Sequence, residues 1–231
     1  MSRLRQPNER DIRFRLRKPS RMVPNPPSSA EPNSHESAEQ VLWAVDDAGR
    51  GLRVVFERRG DRFAHRVELC VGGRSQLLLR SIEGDDSELW PPSPPLQQLS
   101  VEERADGDVA LLVGMAGKSH WSASIAVERA ARRIVYDVAC RVRETPVRLG
   151  TIFMLADELA GAHSLGEHQV ELASKSGEYE VSVASMIADD AGPTCCEIRE
   201  DQRRIIIEPA LERGPQTTWR WRFSLNQQAS G

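Results

Sequence analysis

Residues 109–142, VALLVGMAGKSHWSASIAVERAARRIVYDVACRV, predict the fold because apolar and polar side chains alternate along them. One side of residues 119–127 is apolar, with Trp121, Ala123, Ile125 and Val127 at every second position. The other side carries His120, Ser122 and Ser124. A period of two is typical of a β-strand with one face in a core. The segment therefore predicts neighbouring strands that each bury one face.

The same alternation recurs along most of the chain. It gives thirteen candidate strands, at residues 41–45, 52–56, 62–71, 76–82, 109–113, 119–127, 134–142, 149–155, 169–173, 179–186, 197–199, 204–207 and 217–225. Only residues 100–105 and 156–162 favour a turn or two of helix. Many short strands separated by turns predict an all-β fold, a large two-sheet antiparallel β-sandwich over residues 41–226. Residues 84–95, rich in proline, are predicted to be an insertion or a crossover between the sheets.

The two ends of the chain differ from this body. Residues 1–40 are predicted to be a flexible tail, first basic and then rich in proline and serine, and residues 227–231 a second tail. The whole chain has a net charge of −3. Residues 1–21 have a net charge of +6, so the remaining residues have a net charge of −9. Because an acidic body repels phosphate, nucleic-acid binding is not expected except through residues 1–21. Residues 12–17, which alternate apolar with basic, could instead dock on a sheet edge.

Composition also predicts the compartment. No apolar stretch is long enough to cross a membrane, and no apolar segment follows the first charges as in a secretory signal. Cys70 and Cys140 fall in apolar strands and are predicted to be buried. Cys195 and Cys196 are either a redox-active pair or neighbours by coincidence at a turn. These features predict a cytoplasmic protein with no metal and no cofactor.

A polar face on the opening segment is the best candidate site. A hairpin between residues 119–127 and 134–142 would place His120, Ser122, Asp137 and Arg141 together. Carboxylate and guanidinium groups hydrogen-bond hydroxyls, and Trp90 could stack on a sugar ring. This pattern predicts a site for carbohydrate or another polar ligand, with no catalytic residue assigned. The alternative is a solvent-facing sheet with one weak ion pair.

The other histidines give less specific signals. His65 shares a strand face with Phe63 and Val67, which predicts a buried, hydrogen-bonded side chain. His163 and His168 could join His120 around a metal, but their spacing matches no known metal motif.

The strand number and the size resemble the large sandwiches of the galactose-mutarotase-like class, which bind carbohydrate on a concave sheet. That resemblance implies paired histidines and a glutamate, drawn from His120, His163 or His168 with Glu167 or Glu171; no catalytic motif of the class is matched. Two hypotheses follow: a non-catalytic binding module, or a sugar mutarotase- or epimerase-like enzyme with a His and a carboxylate within hydrogen-bond reach. The oligomeric state is left open.

Overall fold

A computed structural model describes residues 39–175, 178–186, 195–209 and 217–228. These residues form fifteen β-strands and no helix, which confirms the all-β prediction. The described part of the chain therefore has no helix that could cross a membrane. The predicted N-terminal tail, with its basic arm, lies outside the described residues up to residue 38. So do residues 229–231 of the predicted C-terminal tail.

The strands are, in chain order, β1 (Gln40–Val45), β2 (Gly51–Arg59), β3 (Arg62–Val71), β4 (Arg74–Ser81), β5 (Gln98–Glu102), β6 (Val109–Ala116), β7 (Ser119–Glu128), β8 (Arg133–Arg141), β9 (Thr151–Leu155), β10 (Leu159–Ser164), β11 (Gln169–Ser174), β12 (Glu180–Ser185), β13 (Cys196–Asp201), β14 (Arg204–Pro209) and β15 (Thr218–Gln227). One sheet has seven strands in the order β1-β2-β3-β4-β9-β14-β13. The other has eight, in the order β10-β11-β12-β15-β8-β7-β6-β5.

Aromatic side chains join the two sheets in the core. Tyr136 on β8 and Phe223 on β15 stack with their ring centroids 4.7 Å apart. Both contact Phe153 on β9, at 6.1 and 6.3 Å, in edge-on geometry. Because β9 belongs to the seven-stranded sheet and the other two strands to the eight-stranded one, the sheets pack face to face. The predicted two-sheet antiparallel sandwich is confirmed.

The opening segment folds as its alternation predicts. Trp121, Ala123, Ile125 and Val127 on β7 are all buried, as are Ile134, Tyr136, Val138 and Cys140 on β8. β7 and β8 pair antiparallel in continuous register, joined by a turn at residues 129–132. Trp121 lies edge-on to Trp221 of β15, with their ring centroids 6.1 Å apart. This part of the eight-stranded sheet thus has one face in the core and one outside.

Two predictions of helix were wrong. Residues 98–102 form β5, the edge strand beside β6, and residues 159–164 form β10, the opposite edge strand. Leu159, at the start of β10, is completely buried. Helix propensity is worth only tenths of a kcal/mol per residue, so burial of Leu159 and pairing with β11 outweigh it.

The proline-rich connection runs from one sheet to the other. It leaves β4 in the seven-stranded sheet and enters β5 in the eight-stranded sheet, so it is the crossover rather than an insertion. Ser93 within it is fully buried. Its hydroxyl donates to the carbonyl oxygen of Ile152 and accepts from the amide of the same residue, both at 3.1 Å. The connection is thereby tied to β9.

Candidate functional site

The structure places the predicted polar side chains of β7 and β8 on one face. His120 lies directly opposite Arg141, Ser122 opposite Ala139, and Ser124 opposite Asp137. This is the outer face of the eight-stranded sheet, and His120, Ser122 and Arg141 are exposed on it. Their common face, predicted from the alternation, is confirmed. Their role in binding stays a prediction.

An open depression of about 510 Å³ lies over this part of the sheet. His120, Ser122 and Arg141 line it, together with Met115 on β6 and Thr218 on β15. Met115 is 46% exposed, so an apolar patch adjoins the polar groups. A few placed polar groups around an apolar surface are typical of small-molecule sites.

The crossover forms one wall of the depression. Gln97 is fixed at both ends of its side-chain amide: Oε1 accepts from the amide of Met115 at 3.1 Å, and Nε2 donates to Asp61 at 3.0 Å. Gly114 permits this close approach, since a Cβ added there would lie 1.7 Å from the carbonyl oxygen of Pro95. The hydrogen bond of Gln97 to Met115 and the close approach of Pro95 to Gly114 therefore fix this wall against β6.

Asp137 does not belong to the depression. It lies four residues from Arg141 along β8, about 13 Å along an antiparallel strand. Its carboxylate instead forms a two-bond ion pair with Arg220 of β15, in which Arg220 Nε donates to Oδ1 at 2.7 Å. This hydrogen-bonded pairing raises the pKa of Arg220. Arg222 lies directly opposite Asp137 on the same face, and its Nε has no hydrogen-bond partner among the described residues. Arg141 is exposed near the end of this face.

Trp90 also lies outside the depression. It is half-buried in the crossover and packs against the hydrophobic core. Its carbonyl oxygen accepts a hydrogen bond from Arg148 at 3.0 Å. Because Trp90 does not line the depression, the structure brings together His120, Ser122 and Arg141 but not the stacking ring expected beside them.

The histidines do not converge around His120. In the order of the eight-stranded sheet, β10 with His163 lies five positions from β7, about 24 Å at the usual spacing of strands. His163 lies opposite Glu171 of β11, yet among the described residues no hydrogen bond or ion pair joins these two side chains. His168 precedes β11, and its Nδ1 is 3.0 Å from the carbonyl oxygen of Cys196. The described residues include no group of three or more His, Cys, Asp or Glu that could hold a metal ion.

A buried acid–base pair, His65 and Glu83, was not predicted. His65 is 4% exposed, which confirms its expected burial, but neither ring nitrogen has a hydrogen-bond partner among the described residues. Its Nδ1 lies 3.9 Å from Oε1 of Glu83, too far for a hydrogen bond. Burial lowers the pKa of His65 to about 4. Burial also raises the pKa of Glu83 to about 7, against the opposing effect of a hydrogen bond from Ser81.

The position of this pair limits what it can do. His65 lies 5.3 Å from Phe153 and 5.6 Å from Tyr136, measured between ring centroids, inside the aromatic core. A substrate cannot reach a histidine so enclosed. Residue pattern gave no signal for Glu83, because it follows β4 in sequence and only the fold turns it inward. His65 lies in the core, whereas Glu83 is partly exposed and lines a separate open cavity. We assign the pair no catalytic step.

The adjacent cysteines have different surroundings. Cys196 is the first residue of β13 and is fully buried, whereas Cys195 is partly exposed, with Sγ 3.5 Å from Nδ1 of His168. All four cysteines are free. Burial raises the pKa of Cys70, that of Cys196 to about 11 and that of Cys140 to about 12. The two neighbours therefore differ in accessibility, since Cys196 is buried and Cys195 is partly exposed.

We expect iodoacetamide at pH 8 to label Cys195 alone in the folded protein, because the thiolate is the nucleophile and the other three thiols are buried. Peptide mass spectrometry after brief labelling would find one modified site, and four after labelling in denaturant. Cys195→Ser should abolish the native label. Labelling of Cys196 as fast as Cys195 would contradict the assigned burial.

No protein-family model, no curated protein and no solved structure matches this chain. Function is therefore inferred from the residues of the site.

Proposed function

We propose that this protein is a non-catalytic binding module for a polar ligand, and that the ligand is a carbohydrate bearing a carboxylate. The site is the depression lined by His120, Ser122 and Arg141. The observation that carries the proposal is the position of Arg141. It is exposed beside His120, and among the described residues it has no carboxylate partner.

The chemistry of these side chains fits an acidic sugar. A guanidinium binds a carboxylate through two parallel hydrogen bonds, and such charge-assisted bonds are stronger than neutral ones. His120 and Ser122 add hydrogen-bonding groups for ring hydroxyls. Ala139, opposite Ser122, leaves room above the sheet. Met115 offers an apolar surface for the C–H face of a sugar ring.

The alternative, a mutarotase- or epimerase-like enzyme, needs an acid and a base that both reach the substrate. His120 and Asp137 are about 13 Å apart along the strands. At this distance the two side chains cannot act as acid and base on the same sugar carbon. In the close His65–Glu83 pair, the ring of His65 is 4% exposed and lies among core aromatic rings, where a substrate cannot reach it. These positions support a binding module over an enzyme.

We also infer that the protein works in the cytoplasm, since its four cysteines are free and three of them are buried. Subcellular fractionation tests this inference. Recovery in an oxidising compartment would contradict it.

We expect glucuronate to bind at least tenfold more tightly than glucose, because the two sugars differ only in the carboxylate that would meet Arg141. Arg141→Ala should remove most of this difference, and His120→Ala should weaken both sugars; a hydrogen bond to a charged group is worth about 1.5–3 kcal/mol. Isothermal titration calorimetry measures both effects.

The matched control is Arg104→Ala, which removes an exposed arginine paired with Glu102, away from the depression. Its affinity for glucuronate should equal that of the wild type. Absence of binding of any uronic acid or neutral sugar would overturn the proposal, and so would equal weakening by Arg104→Ala. Accelerated anomer exchange, measured by NMR, would favour the enzyme instead.

A further inference from the structure

A second cavity lies near the other end of the strands. It is a cleft of about 960 Å³, and Arg50, Arg74, Arg132, Tyr179 and Gln227 are among its lining residues. None of its lining residues lines the depression near Arg141. Along β8 the cleft adjoins the Arg133 end, and the depression adjoins the Arg141 end, about 26 Å away. The two cavities are therefore separate sites on the same sandwich.

Arginines from three different turns meet at this cleft. Arg50 follows β1, Arg74 begins β4 after the β3–β4 hairpin, and Arg132 ends the β7–β8 turn. Of the described residues that line the cleft, Glu178 alone is acidic. The lining thus has a net charge of +2, three arginines less one glutamate, in a body that carries a net negative charge.

The arginines are not consumed by ion pairs within the protein. Arg50 and Arg132 share one partner, Asp46, whose Oδ2 lies 3.3 Å from Arg50 and 3.9 Å from Arg132. Asp46 itself does not line the cleft. Arg74 has no ion pair or hydrogen bond through its side chain to any described residue. Of the three arginines, Arg50 and Arg132 thus share a single carboxylate, and Arg74 has none among the described residues.

Hydrogen-bonding capacity also remains unused in the walls. The hydroxyl of Tyr179 and the side-chain carbonyl oxygen of Gln227 are buried without a partner among the described residues. Tyr179 is only 6% exposed. Buried polar atoms are almost always hydrogen-bonded in folded proteins. Two of the twelve such atoms in the described residues belong to residues that line this cleft.

We propose that this cleft binds a phosphate monoester of a hydroxyl-bearing organic molecule. Arginine forks match the oxygens of a phosphate group, and several cations suit its double charge better than a single carboxylate would. The volume lies within the range of small-molecule sites, which leaves room for the organic part. This inference does not depend on the proposed sugar site at Arg141.

Glycerol 3-phosphate and inorganic phosphate are the probes, titrated at constant ionic strength and followed by backbone amide chemical shifts. We expect saturable shifts at Gly72, Gly73, Arg132 and Tyr179. Glycerol 3-phosphate should bind at least threefold more tightly than phosphate, and glycerol or chloride should give no saturable shift. Loss of saturation for both phosphates would overturn the proposal.

The variants Arg74→Ala and Arg132→Gly should each weaken binding at least tenfold. Glycine suits position 132 because its φ of 50° lies in the left-handed region, so this variant removes the side chain without straining the turn. Arg129→Ala is the matched control: it lies in the same turn but pairs with Asp108 outside the cleft. Its affinity should stay within twofold of the wild type.

Equal weakening by Arg129→Ala would show nonspecific attraction and overturn the proposal. Unchanged binding in both Arg74→Ala and Arg132→Gly would overturn it too. Arg141→Ala should leave glycerol 3-phosphate binding intact, so that failure of this site and failure of the sugar site are distinguishable. If Arg132→Gly does not fold, as judged by its amide spectrum, Arg74→Ala alone decides the outcome.

Discussion

Trp221→Ala is expected to destabilise the sandwich by about 3–5 kcal/mol, out of a total of about 5–15 kcal/mol for a typical domain. Trp221 is completely buried on β15 and lies edge-on to Trp121. Its Nε1 also donates to Thr151 of the opposite sheet at 3.3 Å. The substitution therefore leaves a cavity and deprives a buried hydroxyl of its partner. Urea unfolding followed by circular dichroism measures the loss.

Trp43→Ala is the control for this experiment. Trp43 is 40% exposed on β1, where it lies beneath the guanidinium of Arg53 at 4.8 Å. Its removal should destabilise by about 1 kcal/mol or less. Similar losses of unfolding free energy for the two substitutions would contradict the assignment of Trp221 to the buried interface between the sheets.

Glu83→Gln is expected to gain stability relative to the wild type as the pH rises from about 4.5 to about 7. In the folded protein the pKa of Glu83 is raised from 4.5 to about 7, chiefly by burial. Between these values the folded state binds more protons than the unfolded state, so the stability of the wild type falls as the pH rises. A shift of this size corresponds to about 3 kcal/mol. Glutamine has no proton to lose, so the variant escapes the penalty.

His65 acts in the opposite direction. Its pKa is lowered from 6.5 to about 4 in the folded state, again by burial. The folded state then binds fewer protons between these values, so its contribution is full above pH 6.5 and is lost as the pH falls toward 4. In the wild type the two effects oppose each other where their windows overlap. Because both proteins contain His65, its effect cancels in the difference between them.

Urea unfolding of both proteins at several pH values from 4.5 to 8 tests this prediction. The difference in their unfolding free energy should change by about 3 kcal/mol and then stay constant above pH 7. Glu102→Gln, which removes a carboxylate that is 51% exposed, shows what loss of a surface charge does. A difference for Glu83→Gln that does not vary with pH would contradict the buried position of this carboxyl.

Much of the fold follows from alternation alone. Residues 119–127 and 134–142 specify their buried faces because a period of two leaves one arrangement with the apolar side in a core. β5 and β10 do not stand out, since edge strands are short and partly exposed, and their local composition favours helix weakly. The order of strands in the two sheets depends on long-range packing, which no local pattern encodes.

The candidate site could be predicted in part. A simple hairpin register brings His120 opposite Arg141, and the alternation of apolar and polar residues predicts that both side chains lie on the outer face of the sheet. The ion pair of Asp137 could not be predicted from the sequence, because its partner Arg220 comes from β15, far along the chain. The acid–base pair at Glu83 and the arginine cleft depend on turns that meet only in three dimensions.

The most direct test of the proposed function is a map of backbone amide shifts on titration with glucuronate. The proposal predicts saturable shifts concentrated at Met115, His120, Ser122, Arg141 and Thr218, with little change in the seven-stranded sheet. Shifts confined to other surfaces, or none at millimolar glucuronate and other uronic acids, would contradict the assignment of the outer face at Arg141 as a carbohydrate site.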